Sequence, residues 1–290
     1  MEQTQSEGST HMLKLPFNKN VIEVRKVCQS LQIKKFYMFP TKLKIEVLEN
    51  KFNMGYLEII SLIEEQKLSV NLGVQTIFSI PIGFFTNLYG LIQKKNKIKI
   101  PLDFKMFFAN LIFNLEYQSI YLMINFPGSG LQLELGLDIE ITETQKPIPD
   151  NVLFQHIQPH NVDTINQFSI TTILNHNLCT KGFFIKGNLD SIYGIKFLLN
   201  GQDRFDYDQV LLNTICTKIN DGFFYIPLDM NEKFTDCGEL SYCSSLNLSR
   251  IDTAKFNFVF KTIPQSLIIY SLSSNYIKHV GGFMGLRYSN

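Results

Sequence analysis

Charged side chains crowd one short stretch of the chain, Leu198–Phe205 (LLNGQDRF), where Asp203 and Arg204 follow an Asn200-Gly201 dipeptide and Asp206 comes next. Two nearby carboxylates are raw material for general acid/base catalysis or for a hard-cation site. Neither use is complete, because no histidine lies close in sequence and no third ligand falls at a useful interval. Asn-Gly is also the strongest short hairpin signal, since both residues tolerate positive φ. The favoured reading is a turn with ion pairs beside it. Ser249-Arg250-Ile251-Asp252 poses the same choice. In a strand Arg250 and Asp252 project from one face, where they pair with each other or with a neighbouring subunit, and catalysis ranks behind both.

The histidines, His11, His156, His160, His176 and His279, are scattered. His156 and His160 are four apart, but Pro159 between them opposes a helix and no HExxH glutamate accompanies them. A zinc site is not expected, nor the strand-borne histidine cluster of a cupin. Gly281, Gly282 and Gly285 look like a phosphate-binding loop only superficially, because no lysine-serine pair or following helix is present. No nucleophile elbow occurs. These glycines are expected to let a strand bulge or pass close to another backbone, with Phe283, Met284 and Leu286 filling the space between sheets. Asn247-Leu248-Ser249 is a glycosylation sequon, taken as coincidental because the opening residues MEQTQSEGSTH have no apolar signal core. No catalytic residue, cofactor or metal is expected.

The elements that must carry these residues follow from composition. With 290 residues the chain can bury two cores. Its 25 phenylalanines and 12 tyrosines, with no tryptophan, favour strands over helices. A net charge of +1 and only four arginines (Arg25, Arg204, Arg250, Arg287) argue against nucleic-acid binding. The cysteines Cys28, Cys179, Cys216, Cys237 and Cys243 follow no disulfide or metal spacing and read as reduced thiols in a cytosolic setting. Thr76–Ile92 is broken by Pro81, Thr86 and Asn87 and is too short for a membrane span, so buried strands and a soluble protein are expected.

Strands are predicted at Lys42–Leu48, Lys67–Leu72, Thr76–Ile82, Leu111–Phe126 (one long strand or a pair) and Leu131–Thr142, the last alternating most cleanly. In the second half they fall at Phe168–Leu174, Gly182–Lys186, Ile192–Leu199, Phe223–Leu228, Ala254–Phe260 and Ser266–Leu272. Short helices are predicted at Val21–Leu31 and Met54–Glu65, with a helical turn at Asp150–His156. Pro81 and Pro101 belong at strand ends, bulges or edges. The expected division is a disordered leader over 1–11, a first sandwich over 12–145, a linker over 146–160 around Pro147-Ile148-Pro149, and a second sandwich over 161–290. The apolar C-terminal tail is expected to be the closing strand of that second sandwich.

LLNGQDRF, the later LNLSRIDTA of Leu246–Ala254 and the ending GGFMGLRYSN together resemble the major capsid proteins of nucleocytoplasmic large DNA viruses. Ile100-Pro101-Leu102 with LIFNLEYQSIYLMINF is similar to the closing strands of that family's first jelly roll. Leu137–Gln158 is similar to the connection into the second, and Phe168–Ile185 to a strand pair there. The resemblance implies an all-β double jelly roll, two eight-stranded antiparallel sandwiches in tandem. It also implies a non-enzymatic virion protein that assembles in the host cytoplasm into homotrimeric, pseudo-hexagonal capsomers tiling an icosahedral shell. Its partners would be copies of itself, neighbouring capsomers and minor capsid proteins, with an internal membrane beneath the shell. The family's opening segment is not recognisable in residues 1–60, and the loops are short for the outward tower of the family. A minor capsid or scaffold paralogue of the same fold is therefore an alternative, as is a carbohydrate-binding jelly-roll module.

Overall fold

The computed structural model describes residues 67–90, 118, 150–164, 167–229 and 245–288, together with the backbone of further strands between residues 10 and 143. The chain divides into two compact units, Met1–Phe154 with Tyr276–Ser289, and Gln155–Asn275.

In the first part of the chain the elements are β1 (Thr10–Lys14), β2 (Val21–Val27), β3 (Ser30–Met38), β4 (Lys44–Val47), β5 (Gly55–Ile59), β6 (Lys67–Leu72), β7 (Gln75–Pro81), α1 (Ile82–Tyr89), β8 (Ile92–Lys94), β9 (Lys97–Leu102), β10 (Ile112–Asn114), β11 (Ile120–Pro127), β12 (Glu134–Gly136) and β13 (Asp138–Glu143). They form sheets of order β1-β13-β4-β10, β2-β3-β11-β6-β7 and β12-β5-β9-β8. Val21–Leu31 is thus not a helix, since its Val/Ile-rich start pairs as β2 with β3. Within Met54–Glu65 the described residues form β5, paired with β9. Leu111–Phe126 resolves into the pair β10 and β11, and Leu131–Thr142 splits into β12 and β13, which belong to different sheets. Thr10 and His11, assigned to the leader, open β1 against β13. Residues 1–9 and 144–149 lie outside the described residues.

Helix α1 stands where a buried strand was expected. Pro81 ends β7 with φ −59°, Gly90 ends the helix at φ +76°, and the Gly90 amide donates to the Thr86 carbonyl at 2.9 Å. Ile82, Phe84, Phe85 and Leu88 are all buried. A short, mostly apolar segment reads alike as buried strand or buried helix, and here the Gly cap decides.

The remaining elements are β14 (Asn151–Val162), β15 (Ser169–Leu174), β16 (Cys179–Lys186), β17 (Ile192–Leu199), β18 (Gln202–Asp208), α2 (Gln209–Ile215), β19 (Thr217–Asn220), β20 (Phe223–Pro227), β21 (Leu246–Asn247), β22 (Ala254–Phe260), β23 (Leu267–Val280) and β24 (Phe283–Leu286). Asp150–His156, expected as a helical turn, enters β14 instead. Helix α2 was not foreseen, although its signal was present: Asp208 accepts from the Leu211 amide at 2.9 Å as an N-cap.

One sheet runs β14-β23-β16-β20-β19 and the other β15-β22-β17-β18. The chain crosses between the sheets from β14 through β17, makes the hairpins β17–β18 and β19–β20 within one sheet each, and the last long strand, β23, inserts between β14 and β16. This is the doubled Greek key of a jelly roll. In the first unit β11 likewise lies between β3 and β6.

Phenylalanine fills the sandwich of the second unit. From β22, alternate residues Phe256, Phe258 and Phe260 are buried, and Phe256 meets Phe197 of β17 at 4.5 Å and Phe183 of the facing sheet edge-on at 4.9 Å. On the other face of the β16 sheet, Phe184, Phe223, Tyr225 and Tyr270 make a second buried aromatic layer. Strand β16 is consequently buried on both faces, and Gly182 within it has no room for a side chain. A Cβ there would lie 2.6 Å from the Ile226 carbonyl and against the Tyr225 hydroxyl. Gly182→Ala is expected to cost about 1–3 kcal/mol, the usual penalty of overpacking. Adding Tyr225→Phe should not restore the urea midpoint, because the carbonyl clash remains.

Candidate functional site

The two internal motifs meet at one corner. Asn200 (φ +49°) and Gly201 (φ +81°) form the two-residue turn between β17 and β18, as the dipeptide predicted. The Asn200 amide donates to the Thr253 carbonyl at 2.8 Å, and the Thr253 amide donates to Asn200 Oδ1 at 2.9 Å. One asparagine thus satisfies both backbone groups of the residue preceding β22. Asn200→Ala loses the side-chain acceptor and puts a Cβ-bearing residue with no local compensation in the left-handed region, an expected cost of about 1–2 kcal/mol. Asn200→Gly, which keeps the turn, should cost about half as much in a urea titration.

The ion pairs around the turn use a partner that spacing did not indicate. Lys196 of β17 reaches Asp203 at 3.1 Å and Asp206 at 2.9 Å. Hydrogen bonds donated to Asp206 and Asp203 push the lysine pKa up. Between Phe197 and Leu198 the register of β17 against β18 slips, with Phe197 opposite Phe205 and Leu198 opposite Asp203. Arg204 is the extra residue of this bulge. Its Nη2 turns to the Leu228 carbonyl at 3.3 Å instead of to the aspartates. With both exposed carboxylates held by one half-buried lysine, the pair has no acid/base arrangement.

Ser249, Arg250 and Asp252 precede the strand instead of lying in it. Leu248–Arg250 is a single 3-10 turn, Ile251 follows, and β22 starts at Ala254. The same-face strand argument for Arg250 and Asp252 therefore fails. Both side chains are exposed, and no ion pair joins them among the described residues. Asn247 of the sequon caps the turn, its Oδ1 accepting from the Ser249 amide at 3.1 Å and hydroxyl at 2.6 Å.

At the C-terminus Gly281 (φ +57°) and Gly282 (φ +85°) make a second two-residue turn, joining β23 to β24. Gly285 is needed for close approach, since a Cβ there would lie 2.8 Å from Gln75 Oε1. Gln75 Oε1 accepts from the Leu286 amide at 3.0 Å, and Gln118 Oε1 from the Met284 amide at 2.6 Å. Met284 is buried, whereas Phe283, expected between sheets, is 54% exposed. Arg287 stacks over Tyr276 and Tyr288 at 5.6 and 5.5 Å and bonds Asn151 Oδ1 at 3.3 Å. These partners, Gln75, Gln118, Asn151 and Tyr276, all belong to the first unit. The tail closes that unit, where the sequence had placed it in the second sandwich.

The fold also gathers three of the scattered histidines. His156 and His160 sit on β14, and His176 lies on the connection between β15 and β16. The His160 and His176 rings stand perpendicular with centroids 6.0 Å apart. His160 Nε2 is 2.7 Å from Thr172 Oγ1. Burial pushes His156 down to about 4, and burial with the adjacent His160 does the same to His176. Among the described residues no group of three or more His, Cys, Asp or Glu is placed to hold a metal ion.

Tandem antiparallel sandwiches, with the jelly-roll strand order legible in the second, define a double jelly-roll protein. The chain superposes on PBCV-1 VP54, a crystal structure fitted into a reconstruction of the virophage Sputnik, at 13% identity and TM-score 0.68, over 100% of this chain and 99% of the other. A quasi-atomic structure of the PBCV-1 virus capsid matches at 14% identity and TM-score 0.65 over the same shares. The major capsid protein P2 of bacteriophage PM2 matches at 10% identity and TM-score 0.52, over 97% and 99%. At these identities what is shared is the fold. No protein-family model and no curated protein sequence matches this chain.

Proposed function

We propose that the chain is a structural capsid protein that works by self-assembly and not by catalysis. The observation that carries this reading is the end-to-end match with the PBCV-1 structures, in which both chains are covered almost completely. The three motifs that resemble the large-DNA-virus capsid family support it independently of the superposition. Two similar sandwiches per chain and three chains per ring present six similar wedges, so a homotrimer can tile a hexagonal lattice. Repeated heterologous contacts close such a ring, and its stability requires interfaces of standard size or larger. Neighbouring capsomers and minor capsid proteins would be its partners in the virion shell. Assembly would take place in the host cytoplasm, over an internal membrane.

Light scattering after size-exclusion chromatography, followed by electron microscopy of negatively stained peaks, tests the proposal. Trimers and hexagonally packed sheets are expected. A strict monomer at high protein concentration would overturn it.

A further inference from the structure

The histidine cluster of the second unit has no role in the turns and cores described above. We infer that His156, His160 and His176 form an acid-sensitive latch, which holds the end of β14 to β15 and to the β15–β16 connection while the rings are neutral and releases it on protonation. The inference concerns a single chain and does not rest on the capsid reading.

The geometry sets out both sides of the latch. On β14, His160 contacts Thr172 of β15 at 2.7 Å and faces the His176 ring at 6.0 Å. The backbone of Pro159, the β14 residue beside His160, favours the charged form of His176. The buried Nδ1 of His176 has no hydrogen-bond partner, so a proton added there would find no acceptor. A buried donor left unmade is costly, and a buried cation more so.

The surrounding charges determine the order of events. Partial burial holds His160 below its ordinary value, and Asp163, just beyond β14, opposes this by favouring the charged form. On His176, burial and the His160 and His156 rings disfavour a charge, and the Pro159 backbone only partly offsets them. Arg250 acts on Cys179 of β16 and not on the rings. His160, half-buried beside a carboxylate, takes the first proton. Its charge then stands against the His176 ring, which can accept a proton only if the connection carrying it moves away from β14. Opening the latch therefore takes up protons.

The sign follows from linkage. Each ring is held below its ordinary value of 6.5, toward about 4 for His156 and His176. The open or unfolded state binds more protons between those limits, so stability is full above pH 6.5 and falls as the pH drops toward 4. Each histidine that is protonated only on opening raises the opening constant by about tenfold per pH unit in that window.

Hydrogen exchange of the full chain at pH 7.5 and 5.0, corrected for intrinsic rates, reads the opening directly. Residues 159–176 should open at least tenfold more readily at the lower pH, with β17 and β22 much less affected. His176→Gln should remove about one proton from the uptake measured by urea unfolding across the same range. If that variant fails to fold, a histidine carbon NMR titration of the unsubstituted protein decides the matter. Resonances of His156 and His176 titrating well below 6.5 are expected. Titration of both near 6.5, or protection of residues 159–176 that is unchanged between the two pH values, would overturn the inference.

Discussion

Phe256→Ala is expected to remove about 3–5 kcal/mol from the second unit, the range for deleting a fully buried aromatic ring. Phe256 is 0% exposed, and its ring is bounded by Phe197, Phe183, Phe258 and Phe205 at 4.5, 4.9, 5.4 and 6.2 Å. These rings come from both sheets and cannot collapse together without shifting strands, so the cavity should remain open. Edge-on and stacked aromatic pairs add about 0.5–1.5 kcal/mol each beyond area, which places the expectation toward the upper end. Val259→Ala, on the outward face of the same strand and 39% exposed, is the control and should stay within about 0.5 kcal/mol. Hydrogen exchange of β22 under increasing urea isolates the second unit's transition from that of the first. A loss below about 1 kcal/mol for Phe256→Ala would mean that this cluster is not the core.

Deleting Phe283–Asn290 should damage the first unit and leave the second folded. The truncation removes buried Met284, the donors to Gln75 and Gln118, and the partner of Ile277–Val280. Burial of one such side chain is worth about 1.5–3 kcal/mol and each hydrogen bond roughly 1, so the total is about 3–5 kcal/mol. The expected pattern is faster exchange and proteolysis in β6, β7 and α1, with β16, β17 and β22 still protected. Loss of protection in β16 and β22 first would return the tail to the second sandwich. Gly285→Ala, which presses on Gln75 without removing any strand, should reproduce the direction of the effect at smaller size.

The contrast between the two C-terminal expectations explains what could be read from the chain. That β24 is a strand was visible, because a tail so apolar does not stay loose in water. Its unit was not, because the residues that hold it, Gln75 and Gln118, are 211 and 166 positions away, and nothing local marks a glutamine as a receptor. Helix α1 reads as strand for a different reason: a segment buried on nearly every side, Thr86 included, has no amphipathic period to measure. Val21–Leu31 and Asp150–His156 read as helix on weak patterns, and sheet pairing overrides them in β2 and β14. The histidine cluster is not visible in the sequence, because Pro159 spoils a helix over His156–His160 and no HExxH glutamate is present. In a strand, however, residues four apart share a face, and a loop sixteen residues further on supplies the third ring.

Alone, the sequence determined the strand-rich class, the bounds of strands such as Lys67–Leu72, Ile192–Leu199 and Ala254–Phe260, and the Asn200-Gly201 turn. These are consequences of alternation and of positive φ, properties of a few consecutive residues. The tertiary structure alone decided that Lys196 and not Arg204 faces the aspartates, that Arg250 and Asp252 lie ahead of their strand, and that the tail belongs to the first unit. Each of those outcomes depends on a bulge, a cap or a distant acceptor, whose positions exist only once the sheets have paired.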